Sequence, residues 1–80
     1  MNYTTNKEYN NLLNKLPKDT ELHPMDKDFI DEEYLSPNYN YILFEYTTED
    51  WNELLTSLYN SNLTYTIKTD SFDLDYILIK

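Results

Sequence analysis

"YNYILFEYTTEDWNELLTSLYNSNLTYTIKTDSFDLDYILI", Tyr39 to Ile79, decides the fold because it contains a strand, a helix and a hairpin in succession. The segment Leu63 to Thr69 alternates Leu63, Tyr65 and Ile67 with Thr64, Thr66 and Lys68, as a strand with one wet face should. The flanking runs, Tyr39 to Tyr46 and Phe72 to Ile79, become apolar at consecutive positions, Ile42-Leu43-Phe44 and Tyr76-Ile77-Leu78-Ile79. These are the more buried strands. Thr69-Asp70-Ser71 is a short polar connection, so the last two strands form a hairpin.

Between the first and second strands lies a helix signal. Thr47 is the expected N-cap, Glu49 and Asp50 suit the first turn, and Trp51, Leu54, Leu55 and Leu58 form one apolar face. Tyr46 is placed to staple onto Trp51, and the helix should stop near Asn60. The chain has no glycine, so Asn and Asp must supply its left-handed turn positions. A helix crossover makes the first and second strands parallel in direction. The third strand then belongs in the centre, antiparallel to both.

Upstream, "TNKE", Thr5 to Glu8, reads as a capping box, and Tyr9, Leu12, Leu13 and Leu16 follow on one stripe of a helix ending before Pro17. The expected architecture is α+β: one domain over residues 1–80 with a small three-stranded, mainly antiparallel sheet and two amphipathic helices packed on one face. Eighty residues leave no room for two cores.

"DTELHPMDKDFIDEEYLS", Asp19 to Ser36, resists this treatment. At about 100° per residue its apolar positions scatter around the circle and give no stripe. It is expected to be a surface excursion with at most a turn or two of helix, pinned by Phe29 and Tyr34 and bracketed by Pro24 and Pro37. Seven of its residues between Asp19 and Glu33 are acidic against the single Lys27, a net −6 out of −9 for the whole chain.

That total exceeds the magnitude of about 2 to 8 that keeps a small domain soluble. It opposes direct binding to nucleic acid or anionic lipid and favours a basic protein partner, with faster association by steering. Ala, Val, Gly, Arg, Gln and Cys are absent while Asn and Tyr abound, a pattern of A/T-rich coding. Such coding should also raise Lys, so it does not account for the acidity. Without cysteine there is no disulfide, thiolate nucleophile or cysteine-bound zinc. The N-terminus shows no signal-peptide pattern, and no apolar run approaches the roughly 20 residues of a membrane span. A cytoplasmic protein is expected, in the host cell if phage-encoded.

Catalytic and cofactor signals are weak. His23, the single histidine, sits between Leu22 and Pro24 without a recognisable nucleophile or metal spacing, and is expected to be a loop residue. Asp26, Asp28, Asp31 and Glu32 imitate a calcium loop, but Asp31 occupies the glycine position and the twelfth position lacks Glu. Asp70, Asp73 and Asp75 could gather at the hairpin around a divalent ion, although turn and strand acids are more commonly solvated. No pair of carboxylates is marked for hydrolytic chemistry. Tyr39, Tyr41 and Tyr46 read as sheet residues rather than a base-stacking platform, which would need basic surroundings. No enzyme activity and no cofactor or metal is expected.

In length, acidity, absent cysteine and A/T-rich composition the chain resembles the small acidic inhibitors of phages and mobile elements, notably DNA-mimic anti-CRISPR proteins, with anti-restriction proteins and uracil-DNA glycosylase inhibitors beside them. The likeness spans the whole chain and carries over no residue role. It implies a non-enzymatic inhibitor that covers the basic groove of a nucleic-acid-processing protein, first of all a CRISPR effector. The carboxylates placed to do so are Asp19, Glu21, Asp26, Asp28, Asp31, Glu32 and Glu33, with Phe29 and Tyr34 adding apolar anchoring. Two other readings stay open: an immunity protein or antitoxin against a basic nuclease toxin, and an assembly module pairing through the edge strand that carries Thr64, Thr66 and Lys68.

Overall fold

The computed structural model describes residues 7–80, and the capping box at Thr5 lies partly outside them. The elements are α1 (Lys7–Leu13), β1 (His23–Pro24), β2 (Tyr41–Phe44), α2 (Trp51–Asn60), β3 (Tyr65–Thr69) and β4 (Asp75–Ile79), with short 3-10 turns at Glu32–Tyr34 and Glu45–Thr47. They form a small α+β fold on a four-stranded antiparallel sheet in the order β1-β2-β4-β3.

The apolar strand at the C-terminus takes the centre, as its pattern predicts. Ile42 opposes Leu78 and Leu43 opposes Ile77 across β2 and β4, while Thr66 and Ile67 oppose the same two residues from β3. The hairpin turns through Asp70 to Asp73, where the Asp70 Oδ1 accepts from the Phe72 N–H at 2.8 Å and the Leu74 N–H at 3.0 Å. Asp19, Asn62 and Asp73 hold positive φ, at 67°, 55° and 62°. Asn and Asp thus take the left-handed positions that glycine would otherwise fill.

The sheet has one more strand than the three expected. β1 is two residues inside the acidic segment, His23 against Ile42 and Pro24 against Tyr41, extended by the Met25 N–H donating to the Asn40 carbonyl at 2.8 Å. Proline is tolerated there because β1 is an edge. No alternation could mark so short a strand, and only its pairing partner defines it.

The start of α2 also differs from expectation. The chain leaves β2 at Phe44 and enters the 3-10 turn, where the Thr47 and Thr48 hydroxyls both donate to the Phe44 carbonyl at 3.1 and 2.7 Å. Thr47 thus lies within that turn, four residues before α2 begins. Asp50 caps the helix instead, its Oδ1 accepting from the Glu53 N–H at 3.0 Å. Tyr46 stacks on Phe44 at 5.3 Å rather than stapling onto Trp51, which packs with the helices.

Both faces of the sheet are covered. On one, Leu43, Ile77 and Ile79 pack against Leu12 and Leu16 from the α1 region, Leu22, and Leu54 and Leu58 of α2. On the other, Ile42, Phe44, Tyr76 and Leu78 pack against Ile30, with Met25, Tyr34, Leu35 and Tyr39 around them. Consecutive apolar residues in β2 and β4 follow directly, since neighbours on a strand point to opposite faces. The second layer is the acidic segment itself.

Candidate functional site: an acidic cover on the sheet

The segment lies flat because its polar and apolar residues part company turn by turn. Asp26 begins this: its Oδ1 accepts from the Asp28 N–H at 2.9 Å, and its carbonyl accepts from the N–H groups of Phe29 and Ile30 at 2.9 and 3.1 Å. This tight turn buries Ile30 at 8% exposure and leaves Asp28 and Phe29 outside. The following 3-10 turn, entered at Asp31, keeps Asp31, Glu32 and Glu33 exposed while Tyr34 turns inward.

Tyr34 is the firmest pin. Its ring meets Phe44 and Tyr76 edge-on, each at 5.0 Å, and its hydroxyl donates to the Asp70 Oδ2 at 2.9 Å. Further along, the Tyr39 hydroxyl and the Thr66 hydroxyl share a 2.8 Å hydrogen bond, tying the cover to the edge strand β3. The Ser36 N–H points to the Met25 sulfur at 3.4 Å. The expected pinning by Phe29 does not occur: Phe29 is 61% exposed, and the adjacent Ile30 enters the core in its place.

Titration behaviour follows from this geometry. Burial, then the Asp70 hydrogen bond and charge, then Glu33, hold the Tyr34 hydroxyl well above its ordinary value. Tyr76 is raised by burial and by the charges of Glu33 and Asp70. For Asp70, desolvation acts upward but is outweighed by the Leu74 and Phe72 N–H groups and the Tyr34 hydroxyl, so its carboxyl lies below the ordinary range. Asp70 and Glu33 thus act on the same two tyrosines. The sequence context of Asp70 signals only a turn, and nothing local links it to a tyrosine 36 positions away.

The nine residues expected to form a site do not all come together. Asp26, Asp28, Phe29, Asp31, Glu32, Glu33 and Tyr34 belong to one continuous cover, with Tyr34 committed to the chain's own sheet. Glu21 is exposed just before β1, its carboxylate 3.9 Å from the His23 Nε2. Asp19 belongs elsewhere, lining a shallow groove with Lys18, Glu49, Asp50 and Glu53 at the start of α2. The hairpin acids are engaged locally: Asp70 organises the turn, and Asp75 accepts from the Thr69 hydroxyl at 2.8 Å. Among the described residues no three Asp, Glu or His side chains are grouped to hold a metal ion.

An aromatic hollow of about 140 Å³ opens beside the cover, between His23, Phe29, Asp31, Tyr34, Phe44 and Tyr46. Sequence reading treats these aromatics as separate core or surface residues. They meet only because β1 brings His23 to Phe44, with ring centroids 5.7 Å apart, while the cover brings Tyr34 from the other direction.

No helix among the described residues is long and apolar enough to cross a membrane. No protein-family model, curated protein or solved structure matches the chain.

Proposed function

We propose that the chain is a non-enzymatic inhibitor that binds a nucleic-acid-processing protein and blocks its basic substrate groove with clustered carboxylates. A CRISPR effector is the partner that the compositional resemblance implies. The observation that carries this reading is the sorting of the cover: Ile30 is buried against the sheet with Met25, Tyr34 and Leu35 packed around it, and Asp28, Asp31, Glu32 and Glu33 face outward from hydrogen-bonded turns. Charges held on an ordered frame can meet Lys and Arg side chains without first losing conformational freedom. They also raise encounter rates in a salt-dependent manner. The partner's groove is filled by protein where phosphates would lie, and no bond is made or broken.

The test compares wild type with a variant carrying Asp26→Asn, Asp28→Asn, Asp31→Asn, Glu32→Gln and Glu33→Gln as bait in a host-cell lysate, at low and high salt. Asp26→Asn keeps the side-chain oxygen that closes the turn, so the cover retains its hydrogen bond. Capture of a nucleic-acid enzyme by wild type alone, reversed by salt and by competing DNA, is the expected result. Equal capture by both baits overturns the reading.

A second reading, assembly through an edge, is favoured by one feature of β3. Thr64, Thr66, Lys68 and Asp70 direct their backbone groups toward β4, as the bonds from the Lys80 N–H to the Thr64 carbonyl and from the Asp70 N–H to the Leu74 carbonyl require. The backbone groups of Tyr65, Ile67 and Thr69 therefore face the open edge. A dimer that withstands high salt and is abolished by Ile67→Pro would favour this reading over charge-driven inhibition.

A further inference from the structure

The aromatic hollow beside the cover has a role distinct from that of the carboxylate field. Phe44 is its hub, with the rings of His23, Tyr34 and Tyr46 at 5.7, 5.0 and 5.3 Å. Phe29 and Tyr46, 61% and 64% exposed, border the same hollow. A single exposed ring is ordinary, but two beside one aromatic hollow make a surface suited to contact.

Size and charge select the occupant. At about 140 Å³ the hollow is smaller than the roughly 300 Å³ at which pockets for small molecules begin, so it fits the head group of one side chain. Asp31 lines it, and Asp28, Glu32 and Glu33 are exposed in the same stretch of cover, a negative surround that disfavours phosphates and carboxylates. Aromatic ring faces attract cations. Of the two cationic side chains, arginine matches better: its planar guanidinium stacks on rings, is weakly hydrated and can direct a fork of N–H groups to a carboxylate, whereas an ammonium is compact and strongly hydrated.

We infer that this hollow is an arginine-binding site, taking the guanidinium of a partner protein's arginine between Phe29 and Tyr46 and hydrogen-bonding it through Asp31. The inference deepens the proposed function and rests on it for the basic partner. The guanidinium contact itself is a property of this surface and can be measured without that partner.

The experiment is an NMR titration of the full chain with N-acetyl-arginine amide, its uncharged isostere N-acetyl-citrulline amide, and N-acetyl-lysine amide. Expected are saturable shifts of the Phe29, Tyr34 and Tyr46 ring protons with arginine, weaker ones with lysine and none with citrulline. Phe29→Ala and Tyr46→Ala should each weaken arginine binding about two- to fivefold, the scale of one exposed cation–ring contact. Both rings are largely exposed, so an amide spectrum unchanged outside the hollow verifies that each variant is folded. Equal shifts from citrulline, or shifts spread alike over Asp19, Glu49, Asp50 and Glu53, overturn the inference, as does a flat titration. Partner capture separates the two claims. A flat arginine titration beside charge-dependent capture sinks this site and leaves the inhibitor reading standing; an arginine-specific titration without capture of a nucleic-acid enzyme does the reverse.

Discussion

The two faces of this sheet are covered by opposite kinds of chain. On one side, Leu54 and Leu58 come from a helix whose apolar residues recur every three or four positions. On the other, Met25, Ile30, Tyr34 and Leu35 come from an irregular and strongly acidic segment, and reach the sheet at unequal intervals. Both leave the central residues fully shielded: Ile77 and Leu78, neighbours on β4, are 0% and 1% exposed. Periodicity is therefore a property of the covering element and not a requirement of burial. A segment that tight turns hold flat can seal a face while pointing nearly every charge outward.

The largest effects come from emptying each face in turn. Ile77→Ala on the helix side and Leu78→Ala on the cover side should each cost about 2 to 5 kcal/mol in chemical denaturation, because both remove fully packed branched side chains. A loss below about 1 kcal/mol for Leu78→Ala alone would mean the cover seals its face only loosely.

Ile30→Ala sharpens the contrast by loosening one layer. It should cost about 2 kcal/mol, the low end for such truncations, since an irregular layer can settle into the vacancy. Hydrogen exchange should accelerate at Phe29 to Tyr34 while the amides of Leu54 and Leu58 keep their protection. Uniform acceleration in both regions would make the two layers one cooperative unit.

Asp50→Ala touches only the helix layer. Removing the N-cap acceptor of α2 should cost about 1 kcal/mol, read as a lower midpoint of thermal unfolding. No change would return the cap to Thr47.

Tyr34→Phe touches only the cover layer, deleting the bond to Asp70 at a cost of about 1 kcal/mol near neutrality. Its pH dependence carries a definite sign. The Asp70 carboxyl is lowered in the folded chain, so its contribution is present above the ordinary value of 3.8 and is lost as pH falls through the folded value. The gap between wild type and variant should close in that acid range. The Tyr34 hydroxyl is raised, so its contribution is complete below its ordinary value of 10.0 and is lost as pH climbs beyond it. Tyr34 should stay protonated in an absorbance titration after the exposed tyrosines have ionised; ionisation together with them would remove the hydrogen bond from the account.

The central position of β4, the hairpin and the two helices were legible because each depends on local pattern. Leu63 to Ile67 alternates with period two, Trp51 to Leu58 recurs with helical spacing, and a glycine-free chain has few residues other than Asn and Asp to turn on. Details that depended on competition for one group were less legible. Thr47 and Asp50 are both good caps, but Thr47 lies inside the 3-10 turn, four residues before the helix begins, and Asp50 stands immediately before it. Among the residues expected to act together, Asp19 is drawn away to the start of α2 and Ile30 replaces Phe29 as a pin, while Asp70, read only as a hairpin acid, anchors Tyr34.

By itself, the sequence determined the periodic elements, the order of the three long strands and the concentration of charge between Asp19 and Glu33. Only the tertiary structure decided that this charged segment is a structural layer, that two of its residues form β1, and that His23, Phe29, Tyr34, Phe44 and Tyr46 share one hollow. The reason is physical. Helices and strands repeat their geometry residue by residue and leave a period in the sequence, whereas an irregular cover is held by contacts formed far along the chain, such as Tyr34 on Tyr76 of β4 and on Asp70 of the hairpin turn.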